Sequence, residues 1–174
     1  LSSITEITGD LNVTGTATLS SLAGLESITA VGGNLAINNN AALTDLGGLQ
    51  SLTSVGEHLT IGDNPSLTNL AGLGSLMSLG GNLNVNNSEA LTDLVGLGSI
   101  TSLQGSVSIA KNQALFSLSG LEGVVSIDGT LNIYDNTSLT SLGGLESLSS
   151  VGGGLYLKNL ALTSLAGLGA LTSV

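Results

Sequence analysis

Leu19–Ala42 reads LSSLAGLESITAVGGNLAINNNAA, and the stretch that follows it, Leu43–Ser66, reads LTDLGGLQSLTSVGEHLTIGDNPS. The same pattern begins again at Leu67, Leu91, Leu115, Leu139 and Leu162, at a constant spacing except that the last step is one residue shorter. A fixed period of about 24 residues is the signature of a solenoid, whose turns pack only against their neighbours. We therefore predict one repeat domain over residues 1–174, with about seven turns and an incomplete turn at each end.

Aliphatic residues recur within each turn, first at every third position and then at every second position. In the second full turn they are Leu43, Leu46, Leu49, Leu52, Val55, Leu59 and Ile61. The alternation at Leu59 and Ile61 is typical of a strand. A helix would need apolar residues three and four apart and would be weakened by the glycine in every unit. The pattern predicts an all-β solenoid with a core of Leu, Ile and Val.

Glycine and asparagine recur at fixed places between these short segments. A glycine at a fixed place in every turn indicates a positive φ or a close backbone approach. Stacked asparagines can bond each other and the corner backbone groups that would otherwise lack a partner. The predicted corner residues are Gly24, Gly48, Gly72, Gly96, Gly120, Gly144 and Gly167, and Asn40, Asn64, Asn112 and Asn136.

The charge excludes several classes of partner. The net charge is −10, with Lys111 and Lys158 as the two basic residues besides one histidine. Nucleic acids and anionic membrane surfaces bind through clusters of Lys and Arg, so neither is an expected partner. No window approaches the roughly 18 apolar residues of a membrane span. We therefore predict no nucleic-acid binding and no membrane insertion.

The phrase GLxSLTSVGGxLxIxxNxxLTSL, which runs nearly unchanged over Gly48–Leu70 and Gly144–Leu165, resembles the receptor L-domain type of leucine-rich repeat. The resemblance covers essentially the whole chain. It implies a right-handed β-solenoid of the kind found in growth-factor receptor ectodomains and in bacterial and fungal surface proteins. The receptor members carry cysteine-bearing ends. This chain has no cysteine, so receptor-style ligand binding does not carry over.

Two pairs of carboxylates share columns: Glu122 with Glu146, and Asp45 with Asp93. Stacking would place them about 5 and 10 Å apart, spacings that resemble those of glycosidases. Any solenoid produces such spacings, so we expect solvated surface acids and no enzyme. Asp63-Asn64 and Asp135-Asn136 are weak calcium candidates without the nonapeptide of calcium-binding repeats. One histidine and no cysteine exclude a zinc site within the chain, and we expect no cofactor.

The strand that ends each turn has the least uniform outward residues. Tyr134 should lie opposite Lys158, and Tyr156 opposite Asn132, while His58 occupies an earlier turn. Tyrosines and a lysine in one patch could stack on a sugar or capture a peptide. The other interpretation is that the tyrosines only cover strand backbone.

A threonine column offers a different function. It contains Thr44, Thr68, Thr92, Thr140 and Thr163, interrupted by Phe116. A parallel column contains Thr29, Thr53 and Thr101, interrupted by Met77 and Val125. Regular threonines on a flat face can order water, as in ice-binding solenoids, although threonine is also a favourable exposed strand residue.

We expect a secreted or cell-surface repeat scaffold, structural, adhesive or fibre-forming, that holds polar side chains in a rigid array. Its partners would be a second copy stacked end to end, or a surface glycan or protein. The alternatives are a glycan- or protein-binding module using Tyr134, Tyr156 and Lys158, and an ice-binding solenoid using the threonines.

Overall fold

The computed structural model describes residues 4–158 and 160–174. The described chain is a parallel β-solenoid, which confirms the predicted all-β fold. Its helical content is two single-turn 3-10 helices at Gly47–Leu49 and Ala71–Leu73. These 3-10 turns were not predicted, and they lie where the three-residue spacing of leucines runs through a glycine corner.

The main sheet has seven strands of four residues, all paired in parallel. Each strand is in register with the strand one repeat away; Leu35, for example, is opposite Leu59. Six such steps separate the first strand from the last, close to the seven turns expected. At a strand spacing of about 4.8 Å, this sheet is about 29 Å long. The strands are β2 (Leu11–Thr14), β4 (Leu35–Asn38), β6 (Leu59–Gly62), β8 (Leu83–Asn86), β10 (Val107–Ala110), β12 (Leu131–Tyr134) and β14 (Leu155–Lys158).

A second wall of the solenoid is built from two-residue strands. They form one sheet in the order β1-β3-β5-β7 and another in the order β13-β11-β9, again parallel and one repeat apart. The strands are β1 (Glu6–Ile7), β3 (Ala30–Val31), β5 (Ser54–Val55), β7 (Ser78–Leu79), β9 (Ser102–Leu103), β11 (Ser126–Ile127) and β13 (Ser150–Val151).

The predicted aliphatic columns form one continuous core. In the second full turn all seven predicted positions are at most 1% exposed, from Leu43 to Ile61. The same columns are buried in the next three turns and join a single cluster, against which partly buried residues of the end turns, such as Leu19 and Leu155, also pack. The core consists of aliphatic side chains that repeat at every turn, so like residues stack along the solenoid and fill it without large rings.

The predicted glycine corners arise from two different causes. Gly24, Gly96, Gly120, Gly144 and Gly167 have φ between 102° and 123°, a region that disfavours other residues. Gly48 lies in a 3-10 helix, where an added Cβ would overlap the carbonyl oxygen of Leu22 in the previous turn. All of the positive-φ glycines of this column except Gly24 show this close approach as well. The column therefore keeps the backbones of successive turns in contact.

The shortened last step is accommodated without loss of pairing. The Thr163 N–H donates to the Thr140 carbonyl, and the Thr172 N–H donates to the Ser149 carbonyl, both across the step that lacks one residue. Among the described residues, no helix has the length and apolarity needed to cross a membrane.

Candidate functional site

The predicted asparagine column is a buried ladder of hydrogen bonds. Asn40, Asn64, Asn112 and Asn136 are all 0% exposed. The Oδ1 atom of Asn64 accepts the N–H of Asn40 at 3.0 Å, and its Nδ2 donates to the carbonyl of Ile37 at 2.8 Å. Asn112 and Asn136 repeat both bonds. These side-chain amides form hydrogen bonds with backbone groups and not with each other, and each of them joins two turns.

A second ladder, not anticipated from the sequence, runs along the corner before the main strands. Each side chain accepts the backbone N–H of a residue in the next turn. Asp10 accepts from Asn34 at 2.7 Å, His58 Nδ1 accepts from Asn82 at 2.8 Å, and Ser106 accepts from Thr130 at 3.0 Å. Asn34 and Asn82 fill the steps between them. His58 therefore has a structural hydrogen bond and lies three turns from Tyr134.

The carboxylates of the two candidate acid pairs are engaged by the local backbone. Asp45 and Asp93 accept the N–H two residues later, at 2.9 and 3.0 Å. Asn69 and Ser141 make the same short-range turn in their own repeats. The side chains in this column share a hydrogen-bond acceptor, which need not be a carboxylate. This favours the expected surface role for Asp45 and Asp93.

Glu122 and Glu146 likewise accept the N–H of the corner glycine two residues earlier, at 2.7 and 2.8 Å. Glu26 makes the same contact, and the hydrogen bond from Gly24 is the main cause that lowers the pKa of its carboxyl group. These glutamates cap glycine corners.

Both calcium candidates lie at corners of the solenoid, where their residues take part in the fold. In each pair the aspartate is the left-handed corner residue, with φ of 54° at Asp63 and 57° at Asp135. The adjacent Asn64 and Asn136 face inward and use their amides in the buried ladder. No group of three or more His, Cys, Asp or Glu within 4–158 and 160–174 could hold a metal ion.

The threonines of the first column add hydrogen bonds between turns. The hydroxyls of Thr44, Thr68 and Thr92 donate to the backbone carbonyl one turn earlier, at 3.3 to 3.5 Å. Thr163 donates its N–H to Thr140. The column is interrupted by the side chain of Phe116, which is 56% exposed.

The main sheet presents outward polar side chains, of which Asn84 donates to the Thr60 hydroxyl one turn earlier at 3.5 Å. The second residue of each four-residue strand is at least partly exposed, and so is the fourth except where it is small and buried, at Gly62 and Ala110. The register places Tyr134 opposite Lys158 and Asn132 opposite Tyr156, as the repeat predicted. These four residues, with Leu155 and Leu157, line a shallow depression of about 710 Å³.

Tyr156 is the most exposed aromatic side chain in the described part of the chain, at 60%. Its ring lies over Gly154, with ring atoms within 2.8 Å of the place that a Cβ would occupy. Gly154 stands in the column that carries Asp10, His58 and Ser106 in earlier turns. The sequence contained an indication of this ring position, because the polar column carries a glycine, Gly154, two residues before Tyr156.

The structure thus brings together Tyr134, Tyr156, Lys158 and Asn132 and separates His58 from them. Neither a family model, nor a curated protein, nor a solved structure matches the chain.

Proposed function

We propose that the chain is a non-enzymatic scaffold of a secreted or cell-surface protein, similar in its repeat to receptor L-domains. It serves a structural or adhesive role by holding outward side chains in a fixed array. The observation that carries the proposal is the division of polar groups. Corner amides, hydroxyls and carboxylates bind the backbone of their own or a neighbouring turn, whereas most outward polar side chains of the main sheet, apart from the Asn84–Thr60 pair, bind no backbone group of the described residues.

A second copy is the partner that the strand edges favour. Within the described residues, β2 pairs only with β4, and β14 pairs only with β12. An unpaired strand edge binds another strand readily. Stacking β14 of one copy on β2 of the next would extend the sheet in a head-to-tail manner, which generates open filaments.

The experiment measures distances across the array with spin labels. The chain has no cysteine, so Asn12→Cys and Asn132→Cys would carry the only labels. Five steps separate these outward positions, about 24 Å of backbone. We expect one narrow distance distribution, and a broad distribution would contradict rigid display.

Self-stacking is tested separately by size-exclusion chromatography with light scattering over a range of protein concentrations. Growth in particle mass with concentration would support end-to-end assembly. A constant monomer mass would contradict the fibre-forming role. It would not affect the proposal of rigid display, which the spin-label distances test separately.

A further inference from the structure

The outward face of the main sheet has a charge distribution unlike the rest of the chain. The protein carries 12 acidic residues, yet none occupies the second or fourth position of a four-residue strand. Asn and small residues fill most of these positions, and Lys158 is the single charged side chain among them. A face that excludes carboxylates and offers amides, hydroxyls and one ammonium group suits a ligand that is rich in hydroxyl groups.

Tyr156 is positioned by a local change in the repeat. Five of the corresponding corner positions carry Asn34, His58, Asn82, Ser106 and Thr130. Gly154 has no side chain, and the Tyr156 ring lies in the space that such a side chain would fill. The ring therefore rests on the backbone with much of its surface open to solvent, and an aromatic ring held in this way offers a flat apolar surface.

Hydrogen-bonding groups surround this ring. Asn132 is the register partner of Tyr156, and its amide makes no hydrogen bond to any described residue. Tyr134 and Lys158 are paired on the same face two residues further along. A flat apolar surface beside unengaged amide, hydroxyl and ammonium groups matches a sugar ring, which has an apolar C–H face and polar edges.

We propose that Tyr156, Asn132, Tyr134 and Lys158 bind a neutral oligosaccharide, with one sugar ring stacked on Tyr156. Six residues line the depression, far fewer than the roughly 20–30 residues on each side of a stable protein interface. The volume lies within the range of small-ligand sites. The net charge of −10 disfavours an acidic glycan. The site does not depend on stacking between copies, because these side chains face outward from the sheet.

The test uses cellohexaose and chitohexaose as neutral probes and an oligogalacturonate of equal length as the acidic probe. Both tyrosines of the chain lie in this site and there is no tryptophan, so tyrosine emission reports on the site. We expect a saturable change of emission with at least one neutral probe and none with the acidic probe. Isothermal titration calorimetry would then give the affinity.

Two variants should weaken binding while the fold persists. Tyr156→Ala removes the stacking surface, and we expect a loss of roughly tenfold or more. Gly154→Asn restores a polar corner residue and displaces the ring, so binding should fall with an unchanged circular dichroism spectrum. Phe116→Ala is the matched control, because that ring is also exposed but lies outside the site.

The proposal is overturned by no binding of either neutral probe, by preferential binding of the acidic probe, or by unchanged affinity in both Tyr156→Ala and Gly154→Asn. A loss of affinity in Phe116→Ala equal to that in Tyr156→Ala would also contradict it, since nonspecific aromatic adhesion would then explain the binding. The spin-label distances remain an independent measure of the scaffold.

Discussion

Gly48 is a position where the spacing between turns forbids a side chain. A Cβ there would overlap the carbonyl oxygen and carbon of Leu22, which are backbone atoms that cannot move aside. We expect Gly48→Ala to lower the free energy of unfolding by about 1–3 kcal/mol, as overpacking does. Urea denaturation measures the change.

Gly98→Ala is the control for this substitution, because the nearest atom to its added Cβ is 4.0 Å away. Its midpoint should stay close to that of the parent chain. Equal losses in the two variants would show that the general properties of glycine, and not the close approach of two turns, explain the column.

Ser88 interrupts the buried asparagine ladder. Asn64 and Asn112 each join two turns, whereas the Ser88 hydroxyl donates only to the carbonyl of Asn86, at 3.4 Å. In Ser88→Asn the new amide could accept the N–H of Asn64 and donate to the carbonyl of Ile61, following its neighbours. We expect stability to rise by about 1 kcal/mol, a typical net value for hydrogen bonds in proteins.

The reciprocal variant Asn112→Ser should lose about 1–3 kcal/mol, because it leaves buried backbone groups without their partner. Thermal or urea unfolding of both variants checks the pair. A destabilised Ser88→Asn together with a neutral Asn112→Ser would contradict the assigned role of the ladder.

At the scale of the element, a side chain one turn earlier binds the backbone N–H just before each of five main strands, β4 to β12. The ring of His58 accepts the Asn82 N–H through Nδ1. His58→Asn should preserve this bond, since Asn34 and Asn82 make the same contact in adjacent turns. His58→Ala removes it and should cost about 0.5–1.5 kcal/mol.

Hydrogen exchange of the Asn82 amide gives a local readout for the two His58 variants. Its protection should fall in His58→Ala and be retained in His58→Asn. If protection stays the same in His58→Ala, the second ladder does not hold this strand.

The two ladders also show why part of the structure could be predicted from the sequence. Asn40, Asn64, Asn112 and Asn136 repeat one residue type, so their column is visible in the alignment of turns. The second ladder needs only an acceptor, which Asp10, His58 and Ser106 supply with different side chains. A column that shares a hydrogen-bonding role but not a residue type shows no repetition in the sequence.

The candidate site could likewise be predicted only in part from the sequence. The register of the repeat was sufficient to predict that Tyr134 lies opposite Lys158 and Tyr156 opposite Asn132. It was not sufficient to place the Tyr156 ring over Gly154 or to show that the His58 ring is engaged. Side-chain direction at a corner depends on local packing, which the period does not specify.

At the scale of the molecule, stability should depend on contacts between neighbouring turns. Across the described residues, the main strands pair only with the strand one turn before or after, and the core is continuous along the stack. In such an array each repeat contacts only its neighbours, and stability is approximately a sum of nearest-neighbour terms. The deletion of a whole turn should therefore be tolerated, whereas a partial deletion places core residues in the wrong columns.

The most direct measurement compares unfolding of a variant lacking residues 67–90 with one lacking residues 67–78. The first deletion joins Ser66 to Leu91 and keeps every column in register. We predict that it retains the β-rich circular dichroism spectrum and a cooperative urea transition with a lower midpoint. The second removes fewer residues but should lose more β signal and its single transition. The account would be contradicted if the two variants folded equally well, or if the variant lacking residues 67–78 folded better. In either case a stacked turn of one full repeat would not be the unit of this fold.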